Sequence, residues 1–119
     1  MLTTFDSLKK NYKEKMKIYK NLDDDMKLPI VYQNKRKLSY LEEKLENIKL
    51  VEYSPIVYYS RKYFLAGKTL AVARLEFEID LLRACNNIII GISNEDAVDF
   101  EKYSTEKINA ELNNILLKY

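Results

Sequence analysis

The apolar positions of the N-terminal segment recur at spacings of three and four residues. They are Phe5, Leu8, Tyr12, Met16 and Tyr19. On a helix they form a stripe about 80° wide, which predicts an amphipathic α-helix ending near Asn21. The acidic run at residues 23–25 would be unfavourable at a helix C-terminus, and we interpret it as a solvated turn after the helix.

A second apolar pattern predicts a second helix, over about Ser39–Leu50. Its apolar members keep heptad spacing and are Leu38, Leu41, Leu45 and Ile48. Ser39 followed by Glu42 is typical of a capping box at a helix start. The alternative is an earlier start, after Pro29.

Residues 54–85 carry two apolar stripes at helical spacing. The first runs Ile56, Tyr59, Tyr63, Ala66, Leu70, Ala73, Phe77, and the second Val72, Leu75, Ile79, Leu82. A helix that is apolar on two sides belongs in the middle of a bundle. Ser54 and Pro55 are typical of its N-cap and first residue, Gly67 could divide it in two, and Asn86 with Asn87 would end it.

The same region contains a conflicting pattern. Residues 75–81 alternate strictly between apolar and acidic, as a half-buried strand does. Helix-forming residues dominate there, so we favour the helix and keep the strand as the alternative. Residues 88–92 are a short strand or a buried connector in this interpretation.

A last helix is expected to begin at Ser93 or Asn94 and to run to about Leu117. Its apolar side would be formed by Phe100, Tyr103, Ile108, Leu112 and Ile115.

Composition supports a helical fold. Only two glycines and two prolines are present, too few for the tight turns of a β-sandwich, and 16 leucines outnumber five valines. We therefore predict an all-α single domain over residues 1–119, a compact bundle of four to five helices with a buried central helix. The alternative is an α+β fold with a small sheet from residues 50–92 flanked by N- and C-terminal helices.

Several classes of chemistry are disfavoured by residue content. Histidine is absent and Cys85 is the only cysteine, so His-based catalysis, a structural zinc site and an internal disulfide are excluded. No cofactor is expected. The N-terminal residues lack the apolar core of a signal peptide, and no run is long enough to span a bilayer, which predicts a cytoplasmic protein with no membrane role.

Acidic side chains are the remaining candidates for catalysis. On a strand, Glu76, Glu78 and Asp80 would share a face and could hold Mg²⁺, whereas on a helix only Glu76 and Asp80 do. We interpret them as a solvent-facing set, and the run at residues 23–25 likewise. Cys85 is either a reactive thiol beside Arg83 or a buried small residue, and we favour burial.

Two groups of residues are candidates for binding. Lys9, Lys13, Lys17 and Lys20 form a stripe on the first helix that could track a polyanion, or could simply be solvated. The segment around Tyr58, Arg61 and Lys62 interleaves aromatic and cationic side chains, as protein interfaces do. Charge is also uneven: residues 1–68 carry 15 Lys+Arg and 9 Asp+Glu, and residues 69–119 carry 5 and 9.

From these features we expect a non-enzymatic protein-binding module, such as an adaptor, an assembly factor or a small protein inhibitor, with homo-oligomerisation included. The alternative is nucleic-acid or polyanion binding through the lysine stripe. An Mg²⁺-dependent enzyme is third.

Overall fold

The computed structural model describes residues 3–57, 60–92, 98 and 100–119. Four α-helices lie in these ranges: α1 (Thr3–Tyr19), α2 (Asp24–Leu50), α3 (Arg61–Ile89) and α4 (Thr105–Lys118), with a 3₁₀ turn at Phe100–Tyr103 before α4. The described residues contain no strand. The predicted all-α bundle is therefore confirmed, and the α+β alternative is wrong.

α2 packs antiparallel to α3 along most of its length. Near the start of α2, Asn34 donates to Asn86 at 2.9 Å, and further along Arg83 lies 2.7 Å from Glu42. Just past the end of α2, the carbonyl of Val51 accepts from Lys68 at 2.7 Å. Residue numbers thus rise along one helix as they fall along the other.

α1 and α4 cover the other side of α3, one on each half. α1 runs beside the C-terminal half, with Phe5 packed on Phe77 at a ring distance of 5.9 Å. α4 runs back along the N-terminal half, so that Tyr119 comes within 5.7 Å of the Arg61 guanidinium. α3 is therefore the buried central helix that its two apolar stripes predict.

The two sides of α3 belong to two separate apolar clusters. Phe77 and Leu81 pack with α1 and α4, whereas Leu75 and Ile79 pack with α2. Residues two apart on a helix point about 200° apart. The strict alternation over residues 75–81 is thus the signature of a helix sandwiched between two layers, and the strand alternative for this segment is wrong.

The start of α2 differs from the prediction. The helix begins at Asp24, before Pro29, and Ser39 lies in its interior, so the capping-box interpretation is wrong. The acidic run forms the N-cap and first turn, where carboxylates are favoured by the helix dipole. Pro29 is the sixth residue of α2 and cannot donate to the Asp25 carbonyl, but this loss falls near the N-terminal end and the helix continues through it.

The start of α3 also differs. Ser54 and Pro55 begin a turn, closed by the 3.2 Å bond from the Val57 amide to the Ser54 carbonyl, and the helix starts after Ser60. The apolar stripe therefore begins at Ala66: Ile56 is 95% exposed and Tyr63 is 64% exposed. Tyr59 lies outside the described residues.

Neither Gly67 nor Asn86 interrupts α3. Gly67 lies within the continuous helix, and Asn86 is a buried residue of its last turns. The helix ends at Ile89, with Ile90 as its C-cap. The next residue, Gly91, has a φ of +81°, which is favourable for glycine and lets the Ile92 amide bond back to Asn87 at 2.9 Å.

The C-terminal helix begins later than predicted. Its N-cap is Ser104, whose hydroxyl accepts from the Lys107 amide at 3.3 Å. The two residues predicted as caps, Ser93 and Asn94, lie outside the described residues. Tyr103, Ile108 and Leu112 are buried as predicted.

The molecule is long and flat, with extents of 53 × 27 × 19 Å. Because α2 lies on one side of α3 and α1 with α4 on the other, the two remaining flanks of α3 form long clefts. Among the described helices, none has an apolar stretch of the length that a membrane crossing needs.

Candidate functional site: a basic groove along the central helix

One flank of α3 is open and forms a groove against α2. We call it the basic groove. Its floor is built from the α3 residues Gly67, Leu70, Ala71 and Leu75 and the α2 residues Leu41 and Ile48. It encloses about 490 Å³, within the size range of binding clefts.

Two small residues lie in the floor of the groove. Gly67 and Ala71 are one helical turn apart on the same flank of α3, and a Cβ placed at Gly67 would meet no atom within 4 Å. A glycine inside a helix costs about 1 kcal/mol relative to alanine. Here it leaves space in which another chain can approach closely.

The rim of the groove is cationic. Lys37, Tyr40 and Lys44 project from α2, and Arg74 projects from α3. A single carboxylate, Glu78, lies at the rim, and Arg74 pairs with it at 3.2 Å.

The groove continues into a smaller pocket of about 140 Å³ between α1 and α2. The two share Lys37 and Glu78, and α1 adds a further cation, Lys15. Lys15, Lys37 and Lys44 form no ion pair with any described residue. The rim therefore carries uncompensated positive charge.

Cys85 lies at the bottom of this smaller pocket. It is 3% exposed, so the predicted burial is confirmed. Burial raises the pKa of its thiol to about 11, although nearby Lys15 acts in the opposite direction. A thiol with this pKa is protonated at neutral pH and is a poor nucleophile.

The opposite flank of α3 is acidic, but its charges are partnered within the molecule. Arg83 pairs with Glu42 at 2.7 Å, and Lys49 lies 3.9 Å from Glu46 and 4.0 Å from Glu76. This cleft is also partly roofed by the 3₁₀ turn, which supplies Lys102 and Tyr103 to its lining. It thus offers less unsatisfied charge than the basic groove does.

The three carboxylates considered for Mg²⁺ do not converge. Glu76 and Asp80 line the acidic cleft, where the Tyr103 hydroxyl donates to Asp80, whereas Glu78 lies on the basic side. Glu76 and Asp80 are half-buried, so their interpretation as a solvent-facing set is only partly right. Within residues 5–57, 60–92 and 100–119, no three acidic or thiol groups are placed to hold a metal ion.

The lysine stripe predicted on α1 lies away from the basic groove. Lys13, Lys17 and Lys20 are exposed, and Lys9 lies 5.1 Å above the Phe100 ring. Lys15 of α1 lines the smaller pocket instead. Around the helix axis it lies about 200° from both Lys13 and Lys17, so it projects from the other side of α1.

The second predicted group is separated from the stripe. Arg61 is exposed and lies 5.8 Å from the Tyr53 ring, and Lys62 is half-buried. Lys9 of the stripe packs on Phe100, which in turn contacts Phe77 of α3. Arg61 lies 16 residues before Phe77 on α3, which is about 24 Å along the helix axis. Tyr58 lies outside the described residues. The predicted binding residues thus do not form one site.

The groove cations were missed from the sequence. Lys37 and Lys44 are two turns apart on the same side of α2, and this heptad spacing was the available signal. Lys15 and Arg74 join them only because α1 and α2 pack on either side of α3.

Comparison with protein-family models, with curated proteins and with solved structures finds no match to this chain. No relative therefore lends it a function, and any functional proposal rests on the groove, its charges and its surroundings.

Proposed function

We propose that this protein is a non-enzymatic protein-binding module that uses the basic groove as its docking surface. The observation that supports this is the combination of an apolar floor, small residues at its centre and unpaired cations at its rim. Protein interfaces commonly combine an apolar core with a polar rim in this way.

The shape of the groove favours a macromolecular partner over a small ligand. It follows α3 from Gly67 to Glu78, where it is open to solvent, and the smaller pocket beyond it reaches the buried Cys85. Sites for small ligands usually enclose most of the ligand surface.

Uncovered apolar surface near the groove supports the same function. Tyr40 at the rim is 61% exposed. Tyrosine at the edge of an apolar cleft is a common interface anchor, because it buries a large ring while its hydroxyl stays hydrated.

The test is affinity purification from cells of the source with a matched pair of variants. Ala71→Gln places a longer neutral side chain on the groove floor, and Ala110→Gln makes the same change at an exposed position of α4. Glutamine keeps helix propensity in both. We expect a specific partner, which includes a second copy of the chain, to be retained by wild type and Ala110→Gln and lost by Ala71→Gln. Equal retention by both variants would refute docking at the groove.

Polyanion binding through α1 is the second candidate. The observation that favours it is the exposure of Lys13 and Lys17, which form no ion pair with described residues. It ranks second because Phe100, the ring beneath Lys9, is half-buried, and because the cleft beside the stripe is lined by Lys20 but not by Lys9, Lys13 or Lys17.

A further inference from the structure

We infer that the occupant of the basic groove is an acidic amphipathic α-helix of a partner protein, lying lengthwise along α3. This rests on the proposed function and adds the chemistry of the partner. The length of the groove, the nature of its floor and the placement of its cations support an acidic helix as the occupant.

The length fits a helix of ordinary size. From Gly67 to Cys85 the groove and its continuation follow 18 residues of α3, or about 27 Å. A partner helix of about 18 residues, or five turns, has the same length. An extended peptide of that length would need only about eight residues and would leave its backbone hydrogen-bonding groups unpaired on an apolar floor.

The floor favours a helix as well. The lining of the basic groove comes from α2 and α3, with α1 joining them at the smaller pocket, and no other described segment contributes to either lining. The floor presents Leu70 and Leu75 on either side of the small residues Gly67 and Ala71. Small residues in one helix let a second helix pack closely, with large apolar side chains from the partner filling the space above them.

Charge complementarity selects an acidic partner. Lys15, Lys37 and Lys44 are unpaired toward the described residues, and the rim's one carboxylate is held by Arg74. Lys37 and Lys44 are seven residues apart on α2, or about 10 Å. Glutamates two turns apart on a partner helix have the same spacing and would face both lysines. A basic helix would bring like charges together along the rim, which disfavours it.

The experiment measures binding of two designed peptides to the full chain by fluorescence anisotropy. The first is a capped 18-residue peptide with leucines at heptad spacing on one face and glutamates on both flanks. The second has lysine in place of every glutamate. We expect the acidic peptide to bind saturably, with affinity falling as salt rises, and the lysine peptide not to bind.

Two charge-reversal variants locate the site. Lys37→Glu/Lys44→Glu reverses two rim cations, and Lys13→Glu/Lys17→Glu makes the same change in net charge on the far flank of α1. We expect the rim variant to bind the acidic peptide about tenfold more weakly or worse, and the α1 variant to change affinity by about twofold at most. Circular dichroism confirms that both variants are folded.

Three results with the peptides would overturn the inference. They are equal binding of both peptides, undiminished binding of the acidic peptide to Lys37→Glu/Lys44→Glu, and no binding of the acidic peptide at all. A single-stranded oligonucleotide that binds instead and is lost in the rim variant would also overturn it and identify the groove as a polyanion site. If a cellular partner is still lost with Ala71→Gln when the acidic peptide fails, the docking function stands and only the chemistry of the occupant is wrong.

Discussion

Phe77→Ala tests the packing that holds α1, α3 and the 3₁₀ turn together. Phe77 is 1% exposed and lies where three other rings meet. Its ring centroid is 4.6 Å from Tyr103 in a stacked arrangement, 5.9 Å from Phe5 and 6.2 Å from Phe100. The substitution therefore removes one side of three aromatic contacts at once.

The expected loss of stability is large. Truncating a buried phenylalanine to alanine typically costs about 3–5 kcal/mol, and each aromatic pair contributes about 0.5–1.5 kcal/mol beyond its buried area. We expect the loss for Phe77→Ala to lie in the upper part of the range of about 3–5 kcal/mol. For a chain of 119 residues the total free energy of unfolding is about 6–18 kcal/mol, so the variant should lose a quarter or more of it.

The assay is equilibrium urea unfolding followed by far-ultraviolet circular dichroism, with the free energy obtained by linear extrapolation. Phe64→Ala is the control, because Phe64 is half-buried at the N-terminal end of α3 and should cost about half as much or less. A loss below about 1 kcal/mol for Phe77→Ala would mean that the side chain is not in the core and that the arrangement of α1 and the 3₁₀ turn around α3 is wrong.

Three further results are expected. Burial holds the folded-state pKa of Cys85 at about 11, above its usual value near 9. The contribution of Cys85 to the free energy of unfolding should therefore be present below pH 9 and fall by up to about 1.4 kcal/mol per pH unit between pH 9 and 11. Urea unfolding curves of wild type and Cys85→Ala across this pH range should reveal the difference. Asn86→Ala should destabilise by about 1–3 kcal/mol, because Asn86 is buried and accepts from Asn34, whereas Asn87→Ala should cost less; equal effects in urea unfolding would contradict a role for that hydrogen bond. Changing the four stripe lysines to glutamine should leave the fold and partner binding intact; loss of a steeply salt-dependent oligonucleotide affinity in this variant would instead favour the polyanion hypothesis. The stripe lysines are Lys9, Lys13, Lys17 and Lys20.

The fold class was predictable because helical periodicity survives over long stretches of the chain. The stripe from Phe5 to Tyr19 defines α1, and the double stripe of residues 66–82 defines a central helix. The alternation at residues 75–81 was ambiguous from sequence alone, because a period of two describes both a strand and a helix packed on opposite sides. Only the packing of other helices on both sides of α3, which the structure shows, distinguishes the helix from the strand.

Helix boundaries were less predictable, because their signals have two meanings. Ser54 with Pro55 starts a turn here, and the same pair is typical of a helix start. The acidic run before α2 resembles a solvated loop, yet it also suits the first turn of a helix. In both cases neighbouring structure decides which meaning holds.

The basic groove could not be assembled from the sequence. Its cations come from three helices, and their proximity depends on α2 packing antiparallel to α3 with α1 on the other side. The lysine stripe of α1 was found because its members share one helix.

The most direct test of the groove as a docking surface is site-specific photo-crosslinking. A photoreactive phenylalanine analogue is introduced at residue 71 on the groove floor, and in a separate variant at the exposed residue 110 of α4. Both proteins are irradiated in cells, and the crosslinked peptides are identified by mass spectrometry. We expect residue 71 to crosslink to one defined protein segment, which residue 110 does not capture. An absence of crosslinks from residue 71, or the same crosslinks from both positions, would contradict this expectation.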